Sequence, residues 1–251
     1  MAAAAELTPA IVLGAIRYGE TSRIVRLATR EFGVVSAIAK GALRPKSRFG
    51  ASLQLLSEGH AHLIASRSSD LHTLAAFDLA DAHRGLAKDL NRYGAANALA
   101  EVAGRFVAPM ANAVLFDQFR RDLALIELAP PEAVAVVGIR GLWRLVEQLG
   151  FGLTVAVCAR DGAPLAPGAI SLSLRDGGLL CPACGRDGAT NRLSEGDRAG
   201  LEALAAGLGE LPVLTRPQAA AHRRLLWRWV REHLGDGPMP ALDAWKESPA
   251  A

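Results

Sequence analysis

The segment SRIVRLATREFGVVSAIAKGALRPKSRFG, residues 22–50, decides the fold class. Ile24, Arg26 and Ala28 alternate with Val25, Leu27 and Thr29, the period-two pattern of a half-buried strand. A second alternating run, GVVSAIAKG, opens at once with Gly33. The chain then turns basic. Lys40, Arg44, Lys46 and Arg48 fall within nine residues with no acid among them, and Gly41, Pro45 and Gly50 exclude a helix there.

Three further runs of the same kind flank this segment: IVLGAIRYGE (11–20), LQLLSEGHAHLIAS (53–66) and LHTLAAFDLA (71–80). Five short strands with glycine-rich turns predict a small β-barrel or sandwich. A five-stranded barrel of about 70–80 residues has the size of an OB-fold. Residues 1–80 are therefore read as one small β domain, for which an OB-fold is a candidate by size. Periodicity does not give its strand order.

After residue 80 the period changes. Leu86, Leu90, Tyr93, Leu99, Val102 and Phe106 recur at helical spacing, with a slip near Ala96, and Pro109 ends the run. Leu115, Phe119, Leu123 and Ile126 mark a second helix, stopped by Pro130-Pro131. Val134, Leu142, Leu145, Val146 and Leu149 mark a third, ended by Gly150. Ser194 to Asp197 read as a capping box, and the last strong helix runs from Gln218 to Leu234. Residues 81–251 thus form a helical domain, interrupted by a cysteine-bearing insert at 151–192 and closed by a Pro/Gly-rich tail, 236–251, expected to be loose.

A hydrophobic content of 51 % excludes a disordered chain, and a net charge of only +3 makes the location of charge more telling than its total. Arginine outnumbers lysine 24 to 4, so two of the rarer residue in one short loop carry weight. Three cysteines, an odd number, argue against a disulfide framework and fit a reducing cytosol. The N-terminus lacks the pattern of a signal peptide, and no apolar run of about 18 residues predicts a membrane span. Phosphate-binding GxxxxGK[ST], GxGxxG after a strand, and G-x-S-x-G are all absent, which favours a binding protein over an enzyme.

A cationic loop beside a small barrel suits the backbone of single-stranded nucleic acid, because Lys and Arg neutralise phosphates and release counterions. Arg17, Arg23 and Arg26 on neighbouring strands widen the expected footprint, and Ser47 adds a phosphate donor. Tyr18, Phe32, Phe49 and Phe77 are the nearby aromatics. Phe49, beside Arg48, is the leading base-stacking candidate, with a core role as the alternative. A solvated loop that keeps the protein soluble is the bland reading of the cations. Arg120-Arg121 and Arg223-Arg224 are read as solvated helix faces, as extensions of the nucleic-acid surface, or as a dock for an acidic partner tail. His60 and His62, two apart on a strand, read as an exposed face lacking a third metal ligand.

Cys181-Pro-Ala-Cys184, followed by Gly185, has zinc-knuckle spacing, with Cys158 as the natural third ligand. A zinc deaminase is excluded, since no His is followed two residues later by Glu and Pro182 lies inside the pair.

The run Lys40-Gly-Ala-Leu-Arg-Pro-Lys-Ser-Arg-Phe-Gly50 resembles the basic loop of the RecO family of DNA repair and recombination mediators. Gly14-Ala-Ile-Arg-Tyr-Gly-Glu-Thr-Ser-Arg-Ile-Val25 is similar to the family's opening, and His233-Leu234-Gly235 to the end of its last helix. The resemblance spans most of residues 10–235. It implies an OB-fold followed by a helical domain with a zinc-ribbon-like insert. It implies binding of single- and double-stranded DNA, strand annealing, and help in loading RecA onto DNA coated by the single-stranded-DNA-binding protein. It also implies RecR and the acidic C-terminal tail of that coating protein as partners, and a bacterial, nucleoid-associated, cytoplasmic setting.

In relatives that carry the metal site, a first CxxC pairs with the second. Here Val155 stands at the matching position in Val155-Ala-Val-Cys158, so a fourth ligand is missing. Three outcomes stay open: Asp161 or a distant His completes a structural zinc site; the metal is lost and packing holds the insert; or the cysteines are redox-active. The rival functions are a cysteine- or metal-dependent redox protein and an OB-fold factor acting on RNA.

Overall fold

A computed structural model describes residues 4–66, 69–186, 191–207 and 209–248. Residues 187–190 of the predicted insert and 249–251 of the predicted tail lie outside these. The chain divides into two compact units.

The first unit, residues 4–89 and 96–128, is built on a closed five-stranded barrel. Its strands are β1 (Glu6–Tyr18), β2 (Ser22–Thr29), β3 (Gly33–Ala39), β4 (Glu58–Ile64) and β5 (Leu71–Asp81), in the order β1-β2-β3-β5-β4 with β4 pairing back to β1. All pairings are antiparallel except β3 with β5. This is an OB-like barrel. The alternation seen in the sequence sets its inside: Val25 and Leu27 of β2 and Val35, Ala37 and Ala39 of β3 point into the core, where Ala10, Val12 and Ala61 join them. The many alanines suit a narrow barrel, whose interior has room for few large side chains.

Gly33 opens β3 with φ +67°, a conformation that side chains disfavour. A Cβ there would also lie 2.3 Å from the Ala108 carbonyl oxygen, which accepts from the Val34 N–H at 3.2 Å. Glycine thus lets the segment after helix α1 (Leu90–Phe106) lie against the β2–β3 turn. Helix α2 (Ala113–Leu128) buries Leu115, Phe119, Leu123 and Ile126, the stripe read from the sequence, together with Phe116. A 3₁₀ turn at Arg84–Lys88 precedes α1, and the boundary between the compact units falls within that helix, at the slip near Ala96.

The second unit, residues 90–95 and 129–248, holds helices α3 (Val134–Val146), α4 (Glu195–Ala205), α5 (Arg216–His233) and α6 (Pro240–Glu247). A three-stranded sheet of β6 (Ile170–Ser173), β7 (Gly178–Leu180) and β8 (Asn191–Leu193) forms the insert, in the order β7-β6-β8. Ser194 caps α4 by accepting from the Asp197 N–H, and Thr215 with Gln218 forms a full capping box on α5. Trp229 of α5 meets Trp143 of α3 edge-on, with ring centroids 5.4 Å apart, and donates its indole N–H to the Phe151 carbonyl at 2.8 Å.

Residues 240–247 of the tail form a packed helix and are not loose. Pro240, at the N-terminus of α6, is pre-shaped for a first turn, and Leu242 and Trp245, three residues apart, are both buried. Asp243 accepts from the Trp227 indole N–H at 2.6 Å and from Arg231 at 2.9 Å, bonds that hold its carboxyl below the usual carboxylate range. Arg223 is buried as well and donates to Ser248 Oγ at 2.8 Å. It is therefore neither a solvated face nor part of a binding surface. Trp245→Ala should lower stability by about 3–5 kcal/mol in urea unfolding, the cost typical of deleting a buried aromatic, whereas a loose tail would give a change within error.

Candidate nucleic-acid interface and metal centre

The basic loop closes one end of the barrel. Between β3 and β4 the chain makes successive turns, with Ala42, Arg44, Ser47, Gly50 and Ser52 each donating to the carbonyl three residues back. Gly41, at φ +73°, allows the first reversal. Phe49 and Leu53 drop into the barrel core from this segment. The Leu43 N–H donates to the Thr21 carbonyl at 2.8 Å, tying the loop to the β1–β2 turn.

The plug leaves the charges outside. Lys40, Arg44, Lys46 and Arg48 are all exposed, and none forms an ion pair among the described residues. Arg17 and Arg23 join them at this end. They are direct cross-strand partners, and Arg23 in turn pairs with Ala39, the residue before Lys40. Like charges directly opposed on a sheet are destabilising unless something of opposite sign lies over them. Among the described residues, Arg17 is occupied only by the exposed turn carbonyls of Gly19 and Glu20, at 3.3 and 3.4 Å. Glu20 is the single acid in residues 17–23 and 40–50.

Two expected members are not brought to this surface in their expected roles. Arg26 lies on the other face of β2 and donates its Nε–H to the Gly104 carbonyl of α1, because strand alternation turns it away from Arg23. Phe49 is 2 % exposed and belongs to the core, so its ring is not open to a base; the Arg48 guanidinium lies 5.2 Å from its centroid. Tyr18, the last residue of β1, is the open aromatic at this end, 52 % exposed. Ser47 Oγ accepts from the Phe49 N–H at 3.2 Å and thus helps to shape the loop. His62 pairs with Asp78 at 2.7 Å on the outer face of the sheet.

The cysteines gather with Asp161, one of the fourth ligands that the sequence offered. Cys158, Asp161, Cys181 and Cys184 place one ligand atom each within 4.8 Å of all the others. The fourth ligand atom lies on the C-terminal side of Cys158, away from Val155. Cys158-Ala-Arg-Asp161-Gly162 repeats Cys181-Pro-Ala-Cys184-Gly185, with Asp161 where a cysteine would stand. Both turns close alike: Gly162 N–H donates to the Cys158 carbonyl and Gly185 N–H to the Cys181 carbonyl, each at 2.9 Å. Arg160 bridges them, donating to the Cys184 carbonyl at 3.1 Å and to Asp176 at 2.9 Å.

Asp161 Oδ2 accepts from Cys184 Sγ at 3.1 Å and lies 3.6 Å from Cys181 Sγ. Hydrogen bonds from Cys158, the Ala163 N–H and Cys184 hold its carboxyl far below the usual range. The same carboxylate, followed by burial, pushes the Cys184 thiol up to about 12. The Cys184 N–H, donated to Cys181 Sγ at 3.5 Å, lowers the Cys181 thiol. Three sulfurs and one carboxylate oxygen at these separations fit a tetrahedral zinc, whose S···S edges are roughly 3.8 Å.

In the second unit, Leu172 and Leu193 of the small sheet and Ala221 and Leu225 of α5 line a groove of about 640 Å³. Exposed Arg192, Arg224 and Arg228 also line it. No helix among the described residues is long and apolar enough to cross a membrane.

The family described as recombination protein O, N terminal, matches residues 1–83, and that described as recombination protein O, C terminal, matches residues 87–243. A DNA repair protein RecO of Anaeromyxobacter dehalogenans (strain 2CP-C) is 32 % identical over 238 residues, covering 90 % of each chain. A DNA repair protein RecO of Rubrobacter xylanophilus is 30 % identical over 226 residues, 89 % of this chain and 88 % of its own. One from Bacillus mycoides is 29 % identical over 173 residues, 68 % and 67 %.

Removing the charge of Asp161 should lower the Cys184 pKa. Asp161→Asn should therefore speed alkylation of Cys184 at pH 8 in chelator-treated protein, read site by site by mass spectrometry. An unchanged rate would contradict the contact.

Proposed function

The chain belongs to the recombination protein O family of DNA repair proteins, and from that premise we propose that the plugged end of its barrel holds the sugar–phosphate backbone of DNA. The observation that carries this is the set of six cations, Arg17, Arg23, Lys40, Arg44, Lys46 and Arg48, held at one barrel end without ion pairs among the described residues. Contacts to phosphate fix a strand without reading its sequence. They also leave the base edges free, as annealing of complementary strands requires. The same charges serve single strands and duplexes. Loading RecA onto DNA coated by the single-stranded-DNA-binding protein, working with RecR and acting at the bacterial nucleoid are further parts of this proposal. The role is binding and assembly rather than catalysis.

The groove of the second unit supplies a dock for the acidic tail of the coating protein. Aliphatic Leu172, Leu193 and Leu225 accept apolar side chains, while Arg192, Arg224 and Arg228 meet carboxylates. Arg224→Ala with Arg228→Ala should weaken capture of that tail peptide at least tenfold, in fluorescence anisotropy, and leave DNA affinity unchanged. Equal affinity for the tail would remove the groove from the account.

Cys158, Asp161, Cys181 and Cys184 would hold a structural zinc that supplies no chemistry beyond pinning the two knuckles together. Zinc in native protein, measured by mass spectrometry and lost in Cys181→Ser, is the expected result.

Single-strand binding should weaken steeply with salt. Four to six phosphate contacts give a log–log slope of about −3 to −4, and changing Lys40, Arg44, Lys46 and Arg48 together to Ala should flatten it by about 3. A wild-type slope near zero would end the proposal. Stronger binding of RNA than of DNA of equal length would transfer it to an RNA-binding role.

A further inference from the structure

A second group of ligating side chains lies in the first unit, away from the cysteines, where the end of the barrel chain passes into the helices. Asp81 is the last residue of β5, His83 follows it, and Glu127 stands on α2; their ligand atoms all lie within 4.8 Å of one another. The His83 side chain is 5 % exposed. Its Nδ1 lies 2.6 Å from Glu127 Oε2 and 3.9 Å from Asp81 Oδ2, while its Nε2 lies 3.4 Å from Glu58 Oε2 on β4. Glu58 in turn faces Arg120 at 3.6 Å.

Backbone contacts hold the group in place. Asp81 Oδ1 accepts from the His83 N–H at 2.7 Å, and Glu127 Oε1 accepts from the Gly85 N–H at 2.7 Å. A Cβ at Gly85 would lie 2.5 Å from that carboxylate oxygen, so only glycine allows the approach.

A neutral imidazole carries one N–H. Here both ring nitrogens face carboxylate oxygens. If Nε2–H points to Glu58, the Nδ1 lone pair is left against two carboxylates. Either the ring's single N–H sits at Nδ1 and is donated to Glu127, or a cation takes that place between the Nδ1 lone pair and the carboxylates. The geometry points to a divalent cation held by His83 Nδ1, Asp81 and Glu127, with Glu58 fixing the ring through Nε2–H. A ligating histidine whose second nitrogen donates to a carboxylate is the usual support for such a ligand. The Asp81 side chain, 60 % exposed, gives the ion its way in. Seating an ion requires Nδ1 and the Glu127 oxygen to part from 2.6 Å to roughly 3.3 Å, a side-chain adjustment. One nitrogen and two carboxylates suit Mn²⁺, Fe²⁺ or Zn²⁺, whereas thiolates are poor ligands for Mn²⁺. The bound ion would tie β5 and the start of the helical segment to α2.

Mn²⁺ separates this site from the cysteine cluster. Full-length protein is stripped with chelator and titrated with Mn²⁺, and free ion is read by electron paramagnetic resonance. One saturable site is expected, lost in His83→Gln, weakened about 10–100-fold in Glu58→Gln, and unchanged in Cys181→Ser. Circular dichroism checks the fold of each variant; if His83→Gln does not fold, Glu127→Gln takes its place with the same expected loss. No saturable Mn²⁺ uptake would mean that a proton alone occupies the position, and would overturn the proposal. Uptake that survives both Glu58→Gln and Glu127→Gln, or disappears in Cys181→Ser, would overturn it equally.

Discussion

The ring of Phe49 and the side chain of Leu53 fill one end of the barrel, and the character of the proposed DNA-binding surface follows from that contact. A loop with four cations and two positive-φ glycines has little reason to hold a shape by itself, since its charges repel and its glycines are free in the unfolded chain. Burying an aromatic ring in the barrel fixes the loop from within. Chain reversals place Lys40, Arg44, Lys46 and Arg48 on the outside of that plug, and the Leu43–Thr21 bond sets them beside Arg17 and Arg23. The cost is repulsion among six like charges, partly screened by solvent and relieved further when a polyanion covers them.

The barrel was legible in the sequence because each strand buries one face. Val25 and Leu27 against Ile24 and Arg26 is a pattern that only a strand at this register satisfies, and the same holds for Val35, Ala37 and Ala39. The closing order β1-β2-β3-β5-β4 was not legible, since alternation gives a strand its faces and not its neighbours. The tail helix was missed for a compositional reason. Glycine and proline around residues 235–240 read as a loop, yet Pro240 stands at a first turn, and Leu242 and Trp245 show the spacing of a short buried face.

The candidate sites divide in the same way. Lys40, Arg44, Lys46 and Arg48 announced themselves by density, and Arg17 and Arg23 by their strands, but the distinction between Arg23 and Arg26 needed strand faces to be carried through to the barrel's outside. Phe49 sits beside a cation in the sequence as either a stacking ring or a plug would. Asp161 was one of two kinds of fourth ligand that the sequence offered, and the repeat of Cys-x-x-Asp-Gly and Cys-x-x-Cys-Gly, visible in the chain, is what favours it over a distant His. His83 carried no signal, because its partners Glu58 and Glu127 lie 25 and 44 residues away.

The most direct test of the central claim is where a strand touches the protein. An oligonucleotide bearing photoreactive thymidines, crosslinked to the full-length protein and mapped by peptide mass spectrometry, should mark peptides covering residues 17–23 and 40–50. Adducts confined to other segments, with these two left clean, would contradict the account.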